Sequence, residues 1–318
     1  MLAAIQKKQN LQKPLKKLLK WALLILGILT LTSAISLFRY DHKEKNWYNE
    51  TVSIPKKKHS DTTSVICILA TVHQANPNYN ADSIVAVLTS FQPDLILTEE
   101  DSVLFETYHR GYNQTLQKPL FARLGRSFGF GRPEEIEGRA VRKYKISHPA
   151  VDIRPFDYEG RNAFFENNNT FSKEDEVGNR LESLTNNHLL TQEQEKIWSE
   201  YENMNDTLNK LSNQTPYSIN QQAYYDLTER RQDYQYNKVA EIVNSNDSLK
   251  EYRGFYKTNA DFWDIRNKKM AEHITNFIRQ YPSKRIMVLT GSMHKYYLLK
   301  ELAPLQDKSK FRLQEYFE

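Results

Sequence analysis

Four apolar runs in the sequence are each followed closely by polar residues that can ionise. His73, Glu99, Asp157 and His294 stand at or just after the ends of these runs, and Glu100 follows Glu99. Short β-branched and apolar runs of this kind are typical of strands buried in a parallel sheet. Ligands of open α/β sheets bind beyond the carboxyl ends of the strands. The sequence therefore predicts that these five residues share one rim of a sheet.

Two histidines and a carboxylate at one rim could bind a divalent metal ion. Imidazole and carboxylate groups suit first-row ions such as Mn, Co or Zn with open coordination positions. The candidate metal ligands, which are also candidate catalytic residues, are His73, Glu99, Glu100 and His294. Because adjacent strand residues point to opposite faces, we expect at most one of the two glutamates to reach the site. The same residues also fit a metal-free site, in which one imidazole is the general base and a carboxylate orients it.

Arg266 is a further candidate catalytic residue. It lies on the apolar stripe of a predicted helix, between Trp263 and Met270. A guanidinium group on a stripe that faces the core needs a partner. That partner is either a carboxylate or anionic substrate in the pocket, or a residue in a purely structural salt bridge.

Three residues of the same rim are expected to contact a bound cofactor, namely Gly291, Ser292 and Asp157. Gly291 allows a tight turn or a close approach of a ligand to the main chain. Plain structural roles are also open at this rim. His294 could be a loop or capping residue, Asp157 could be a helix N-cap, and the two glutamates could face solvent beside a helix start, where the helix dipole favours acids.

Strands alternate with helices along residues 64–318, which predicts an α/β fold with a mostly parallel central sheet flanked by helices. The first strand, the helix over residues 81–91 and the second strand form a β-α-β unit with a right-handed crossover. Residues from about 162 to 245 change to a polar composition and predict an α-helical insertion. Within it, Thr191 and Gln194 form a possible capping pair at the start of an amphipathic helix.

The N-terminal part of the chain is expected to cross a membrane once. Residues 21–38 carry no charge, and roughly 20 residues suffice to span about 30 Å of hydrocarbon as a helix. Six lysines precede this stretch, which predicts a basic cytoplasmic segment over 1–20, a transmembrane anchor over 21–39 and an extracytoplasmic main domain. Residues 40–63 are predicted to be a linker. A cleaved signal peptide is the alternative.

Composition excludes some functions and leaves others open. The net charge is +5, but the six lysines of the first twenty residues account for the excess, so nucleic-acid binding is not favoured. The single Cys67 excludes an intrachain disulfide framework and is expected to be a core residue. Oligomeric state is not predicted.

Several motifs together resemble a known family. A strand end with Ala70-Thr71-Val72-His73, an acidic pair after the second strand, an Arg-Asn dipeptide in a late helix and a complete G-x-x-H at Gly291–His294 are similar to the TraB/PrgY/GumN and Tiki group. This group belongs to the erythromycin esterase/ChaN-like superfamily. The likeness covers roughly residues 64–160 and 260–317, and Ala70 stands where the family usually has glycine. It implies an α/β domain whose site contains His73, Glu99 or Glu100, Arg266 and His294.

The resemblance implies a hydrolase without fixing the reaction. Tiki-like members act as metal-dependent peptidases, erythromycin esterases hydrolyse an ester, and a ChaN-like branch binds haem. We therefore expect a membrane-anchored hydrolase of a peptide or small ester substrate, either with or without a divalent metal ion. The alternative is a non-catalytic protein that binds haem or a peptide, and a scaffold with a decayed pocket is a third possibility.

Overall fold

The computed structural model describes residues 2–50, 62–100, 102, 105, 120–130 and 135–316. The chain forms two compact units. One consists of Met1–Thr51 and Thr115–Pro133, and the other of Val52–Gln114 and Glu134–Glu318. We call them the helical unit and the α/β unit. The sequence predicts a single domain over 64–318 and does not anticipate that residues 115–133 belong with the N-terminal helix.

The regular elements, in chain order, are α1 Leu2–Asn49, β1 Ser64–Thr71, α2 Ala81–Phe91, β2 Leu95–Thr98, α3 Leu120–Ser127, α4 Ile136–Ser147, β3 Asp152–Pro155, α5 Arg161–Asn168, α6 Thr170–Asn186, α7 Gln192–Ser212, α8 Gln222–Asp233, a π-helical segment Tyr234–Val239, α9 Ala240–Ser245, α10 Phe255–Gln280, β4 Arg285–Gly291, α11 Lys295–Leu302, α12 Gln306–Ser309 and β5 Phe311–Leu313. Short 3₁₀ turns cover Asp247–Tyr252 and Ala303–Leu305.

The helical unit consists of α1 and α3. Within α1, the stretch Lys20–Tyr48 is long and apolar enough to cross a membrane, by length and composition. The helix continues to Asn49, whereas the sequence predicts an irregular linker from residue 40. Residues 51–61 of that linker lie outside the described residues. The orientation of the chain across a membrane stays a prediction.

The α/β unit is built on a five-stranded sheet in the order β3-β2-β4-β1-β5, and every neighbouring pair is parallel. This confirms the predicted fold class. All eight residues of β1 are buried, because helices cover both faces of the sheet. Thr71 at the end of β1 pairs with Gly291 at the end of β4. The two strands therefore end at the same level, and the residues that follow them emerge side by side.

The core packs α10 and α11 against one face of the sheet. Ile68 of β1, Val288 of β4, Met270 and Ile274 of α10 and Leu298 of α11 belong to one buried cluster. Cys67 is also buried, as predicted, and burial raises the pKa of its thiol to about 12. The thiol is therefore protonated and unreactive at neutral pH.

Helices α5 to α9 form the insertion and have a core of their own. Trp198 and Tyr201 of α7 pack in a cluster with Val177 and Leu181 of α6 and with Val239. The predicted capping pair is present: the Thr191 hydroxyl accepts from the Gln194 N–H at 3.2 Å, and the Gln194 side chain accepts from the Thr191 N–H at 3.1 Å. The predicted helical insertion is thus confirmed.

Asn220 fastens this insertion to the end of β1. Strand β5 pairs with β1 only as far as Ile66, so the main-chain groups of Ala70 on that side need other partners. The Ala70 N–H donates to Asn220 Oδ1 at 2.9 Å, and Asn220 Nδ2 donates to the Ala70 carbonyl at 3.0 Å. Lys295 Nζ also donates to Asn220 Oδ1, at 2.8 Å. The side chain of Asn220 thus replaces a neighbouring strand three residues before His73.

Most differences from prediction lie at element ends. The apolar spacing of Trp263, Met270 and Ile274 predicts a helix from residue 260, but helix α10 begins at Phe255. The weak alternation of residues 311–317 predicts a terminal strand, but strand β5 ends at Leu313. The sequence also predicts a helix over residues 132–146; helix α4 begins at Ile136, and residues 132–134 fall outside the described residues.

Candidate active site

His73 and His294 lie at one cavity, above the carboxyl ends of β1, β2 and β4. The cavity has a volume of about 840 Å³. Its walls include seven of the eight candidate residues from the sequence, namely His73, Glu99, Glu100, Arg266, Gly291, Ser292 and His294. Residues far apart along the chain are brought together because their strands are parallel and end at the same level.

Gly291 makes room for the imidazole of His73. A Cβ atom at this position would lie 3.0 Å from His73 Nε2 and 3.5 Å from Glu99 Oε2. The backbone at Gly291 is not in a left-handed conformation, so the glycine serves close approach rather than a turn. The group that lies close to the Gly291 main chain is thus the His73 side chain, whereas the sequence suggests a bound ligand.

Glu99 is the glutamate that reaches the centre of the site. Its Oε2 accepts from the Gly291 N–H at 2.6 Å and from the Thr290 hydroxyl at 2.7 Å, and its Oε1 accepts from Arg266 Nη2 at 2.6 Å. Burial alone would raise the pKa of Glu99, but His294, Arg266, His73 and the Gly291 N–H hold this pKa below its usual range. Glu99 is therefore a fixed negative charge. The half-buried Glu100 lines the same cavity, so both glutamates reach it, where the sequence predicts at most one.

Arg266 is bound by two carboxylates and a histidine. Its Nε donates to Asp157 Oδ1 at 2.8 Å, its Nη2 to Asp157 Oδ2 at 2.9 Å as well as to Glu99, and its Nη1 to His294 Nε2 at 2.9 Å. Burial lowers its pKa, but Glu99 and Asp157 raise it by more, so the guanidinium stays charged. The sequence predicts a carboxylate, an anionic substrate or a structural salt bridge as the partner of Arg266, and the structure shows carboxylates, one of which, Glu99, lines the cavity.

Asp157 holds Arg266 in place from behind the cavity wall. Its side chain has no exposed surface, and its Oδ2 also accepts from Arg161 Nη1 at 3.0 Å. The N-cap of α5 is Gly160, so Asp157 does not have the capping role that the sequence allows. Both carboxylate oxygens of Asp157 bind guanidinium groups. Asp157 therefore positions Arg266, whereas the sequence predicts that it contacts a cofactor. Ser292 likewise binds protein, because its hydroxyl accepts from the Tyr224 hydroxyl at 3.0 Å.

The tautomer of His294 is set by Asn267. Asn267 Nδ2 donates to the Trp263 carbonyl at 2.8 Å, so Asn267 Oδ1 faces His294 Nδ1, at 2.7 Å. Nδ1 must therefore carry the proton, and Nε2 accepts from Arg266. Burial lowers the pKa of His294 to about 4, against the opposing effect of Glu99. His294 is thus neutral at neutral pH and stacks on Trp263, with ring centroids 4.4 Å apart.

His73 is paired with Glu137, a residue that the sequence reading does not single out. Nδ1 of His73 lies 3.0 Å from Glu137 Oε1, and this hydrogen bond raises the pKa of His73 to about 9. The Thr71 hydroxyl donates to the same oxygen at 2.5 Å. The His73 side chain is 55% exposed. Glu137 lies in the first turn of α4, and its only sequence signal is an acid at a helix start, which many exposed glutamates share.

The predicted metal ligands do not fit a metal ion as they are arranged. His294 Nε2 and Glu99 Oε1 lie 3.5 Å apart, and both accept from the guanidinium of Arg266. The single lone pair of His294 Nε2 is taken by Arg266, and a metal ion bound to Glu99 Oε1 would lie beside the positive charge of this guanidinium. Within the described parts of the chain, no cluster of three or more histidine, cysteine, aspartate or glutamate residues could hold a metal ion.

The helical insertion supplies a large part of the cavity wall. Phe164 and Phe165 of α5, Phe171 of α6, Leu208 of α7 and Arg231 of α8 all line it. Phe164 stacks on Phe262 of α10 with ring centroids 3.7 Å apart. The insertion therefore contributes to the surface that a substrate would contact.

Comparison with known proteins finds no matching family model, no matching curated protein and no matching solved structure. The resemblance to the TraB/PrgY/GumN and Tiki group stays a prediction from the sequence motifs.

Proposed function

We propose that the protein is a membrane-anchored hydrolase of ester or peptide bonds, in which His73 is the general base and Glu137 orients it. The observation that carries this proposal is the pairing of His73 Nδ1 with Glu137 Oε1 at 3.0 Å, with the ring at the wall of the cavity. A carboxylate on Nδ1 fixes the tautomer whose Nε2 can take a proton.

The reaction would proceed in two steps. Neutral His73 takes a proton from water at Nε2 while the water oxygen bonds to the carbonyl carbon of the substrate. The imidazolium then returns this proton to the leaving oxygen or nitrogen as the bond from carbon to that atom breaks. Glu137 and the negative charge of Glu99 both stabilise the imidazolium, since both raise the pKa of His73.

Arg266 and Arg161 divide the roles expected of a cation at the site. Arg266 holds Glu99 and His294 in place through direct hydrogen bonds. Arg161 binds Asp157, lines the cavity and is partly exposed, so it is the cation better placed to face the negative charge that develops on the substrate oxygen.

An ester is the favoured substrate. An amide nitrogen leaves less readily than an alkoxide or phenoxide, and the proposed site uses neither a metal ion nor a covalent nucleophile to compensate. The proposed location follows the positive-inside rule, with the N-terminus in the cytoplasm and the α/β unit outside the cytoplasmic membrane.

The test compares His73→Asn with His188→Asn in the full chain, assayed on p-nitrophenyl esters and on a peptide library. His188 is 89% exposed and has a positive φ, which asparagine tolerates, so it is a matched control. We expect His73→Asn to lower kcat/KM about a hundredfold or more and the control to leave it unchanged. Activity that survives in His73→Asn would overturn the proposal.

Two further measurements separate the alternatives. Chelators should leave the activity unchanged, and activity that disappears with a chelator and returns with Mn, Co or Zn would favour the predicted metal site instead. A Soret band after haem addition, together with absent hydrolysis, would favour the haem-binding alternative.

A further inference from the structure

The cavity has a polar end at a distance from the candidate catalytic residues. Asn259, Phe262, Trp263 and Arg266 lie along one face of α10, and all four line the cavity. Asn259 precedes Arg266 by seven residues, which at 1.5 Å per residue is about 10 Å along the helix. The two aromatic residues lie between them. The cavity therefore runs from His73 and Arg266, past an aromatic middle part, to a polar end.

Arg231 at the polar end binds only neutral oxygens among its described contacts. Its Nε donates to Asn205 Oδ1 at 2.8 Å, its Nη1 to Gln232 Oε1 at 3.2 Å and to Gln235 Oε1, and its Nη2 to the Tyr201 hydroxyl at 2.5 Å. A partly buried guanidinium without a carboxylate partner carries a desolvation cost that an anion would offset.

The nearby carboxylate of Glu174 is engaged by another residue. Gln235 Nε2 donates to Glu174 Oε1 at 2.5 Å. Arg231 donates to the Tyr201 hydroxyl, and Tyr201 belongs to the same buried cluster as Tyr256 of α10, so Arg231 lies close to α10. Tyr256 is one helical turn before Asn259, which brings Arg231 and Asn259 to the same end of the cavity.

Two buried polar atoms at this end have no hydrogen-bond partner among the described residues. They are Thr170 Oγ1 and Asn259 Oδ1, and their residues are 5% and 7% exposed. Thr170 and Asn259 both line the cavity. Because buried polar groups are nearly always satisfied, unpaired atoms in a cavity wall indicate a place for a polar ligand group. Of these two atoms, only the Thr170 hydroxyl can donate a hydrogen bond to an anion, because Asn259 Oδ1 is an acceptor.

We propose that Thr170 and Arg231 form an acid subsite, which binds a carboxylate at the far end of the substrate. The substrate class is then an ester whose acyl part is an apolar chain ending in a carboxylate, with the chain packed against Phe262 and Trp263. This inference rests on the proposed hydrolase function for the position of the scissile bond.

The first test uses two chromogenic esters in the full-length protein. One is the mono-p-nitrophenyl ester of suberic acid, and the other is p-nitrophenyl octanoate, which has the same chain length and no terminal carboxylate. We expect Arg231→Gln to raise KM for the acid-ended ester about tenfold, to change its kcat by less than a factor of about two, and to leave the octanoate unaffected. Arg231→Lys should recover part of the loss, because it keeps the charge.

Arg230→Gln is the matched control. Arg230 lies next to Arg231 on α8 but is exposed, and its guanidinium lies 5.5 Å from the Tyr234 ring. This variant should behave as wild type on both esters. Thr170→Val is the second variant, because it removes the hydroxyl donor and keeps the shape of the side chain, and it should also raise KM for the acid-ended ester only. If the KM values of both Arg231→Gln and Thr170→Val for the two esters equal those of wild type, the acid subsite is overturned.

Calorimetric binding of free suberate keeps this test separate from catalysis. Arg230→Gln should bind suberate as wild type does, whereas Arg231→Gln should bind it about tenfold more weakly. If the wild type hydrolyses no ester but suberate binding still depends on Arg231, the hydrolase proposal fails and the acid subsite stands. If suberate binding does not depend on Arg231, the subsite fails whatever the activity.

A second inference concerns the helical unit and rests on different observations. Helix α3 is tied to α1 near the end of the apolar stretch 21–38: the Ser36 hydroxyl donates to the Ser127 carbonyl at 2.8 Å, and Arg123 pairs with Asp41. Phe121 and Phe130 on this segment are 84% and 71% exposed. Large apolar side chains beside the end of a membrane span are typical of segments that lie in the membrane interface.

We propose that residues 120–130 lie in the lipid interface on the side of the membrane where α1 emerges. Nitroxide labels on cysteine variants of the reconstituted full chain test this, because Cys67 is buried and so resists labelling. Labels at Phe121→Cys and Phe130→Cys should be more accessible to oxygen than to a water-soluble nickel chelate. A label at Leu29→Cys is the reference for a position inside the membrane span. A label at Glu193→Cys, on the exposed surface of α7, is the reference for a position in water.

Water-like accessibility at 121 and 130 with a lipid-like label at 29 would overturn the interface contact alone. A water-like label at 29 would overturn both the membrane span and the interface contact.

Discussion

Two imidazoles of one site have opposite protonation states because their surroundings differ. His73 is partly exposed, and its hydrogen bond with Glu137 raises its pKa to about 9. His294 is enclosed, and burial lowers its pKa to about 4. At neutral pH the first is mostly charged and the second is neutral. Because the two pKa values are so far apart, His294 can stay a fixed hydrogen-bond acceptor while His73 exchanges protons.

We expect the activity of the wild type to rise with pH until about pH 9. His73 must be neutral to act as a base, and with a pKa of about 9 only about one molecule in a hundred is neutral at pH 7. Glu137→Gln removes the charge that raises this pKa. Its kcat/KM should reach a plateau at about pH 6.5, the ordinary pKa of histidine, and the plateau should be lower because the base is weaker. A pH profile identical in both proteins would contradict this.

The same substitution should change how stability depends on pH. Since the pKa of His73 is higher in the folded than in the unfolded chain, its stabilising contribution is complete below about pH 6.5 and is lost as the pH rises through about 9. The wild type should therefore lose stability relative to Glu137→Gln across this window. Urea denaturation at a series of pH values measures the difference.

Gly291→Ala should disable the site without unfolding the protein. The added Cβ would lie 3.0 Å from His73 Nε2 and would displace the ring. Because the displaced group is the end of a partly exposed side chain, the free energy of unfolding should change little, whereas kcat/KM should fall by roughly a hundredfold. Gly178→Ala is the control, since a Cβ there would meet no atom within 4 Å. Equal activity of the two variants would show that Gly291 does not set the position of His73.

At the scale of elements, β1 is completed by a side chain. The short β5 leaves the Ala70 main chain to Asn220, and Asn220 belongs to the insertion rather than to the sheet. The position of β1, and with it that of His73, thus depends on a residue 150 positions away. The insertion therefore helps to hold the sheet in place through the hydrogen bonds between Asn220 and Ala70.

Asn220→Ala should destabilise the α/β unit by roughly 2 to 4 kcal/mol, because two main-chain groups of Ala70 and the buried Lys295 ammonium lose a partner. Chemical denaturation measures the loss. Asn179→Ala, at an exposed position in α6, should leave the free energy of unfolding within about 0.5 kcal/mol of wild type. If the two variants are equally stable, Asn220 does not anchor β1.

Elements that are buried on both faces could be predicted from the sequence, and contacts between distant elements could not. Burial is visible directly in the sequence as the apolar runs of β1 and β4 and as the helical spacing of Ile84, Leu88 and Phe91 in α2. The structure places these elements as expected. The convergence of His73, Glu99 and His294 followed from the strand-end rule.

The remaining features depend on tertiary geometry. Glu137 reaches His73 from 64 positions away, and nothing in its local pattern distinguishes it from a solvated glutamate at a helix start. The sequence shows Arg266 as an unusual charge on an apolar stripe, but its pairing with Asp157 depends on how α10 packs against the end of β3. The pairing of α3 with α1 has no local sequence signal at all.

At the scale of the whole molecule, the proposed arrangement is a reactive unit outside the membrane that is fixed to it by one helix. The six lysines before the apolar stretch favour a cytoplasmic N-terminus. In this arrangement the substrate would be met outside the cytoplasm.

Fusions in a bacterial host test this topology. Alkaline phosphatase at the C-terminus should be active, because it folds outside the cytoplasm, and green fluorescent protein at the same place should be dark. An N-terminal tag should stay on the mature chain. Loss of the tag would favour the signal-peptide alternative, and a bright fluorescent fusion would contradict the orientation.

The pairing of Thr71 with Gly291 has a consequence for evolution and for engineering. Thr71 and Thr290 are 219 positions apart along the chain, yet the parallel pairing of β1 with β4 fixes the spacing between the two histidine-bearing ends. The helical insertion over residues 162–245 lies between them, and we expect that it can be lengthened, shortened or exchanged while the reactive groups keep their places, provided that Asn220 is retained. Chimaeras that retain Asn220 and replace the rest of the helical wall would be expected to inherit the chemistry and acquire a new preference for what they cleave.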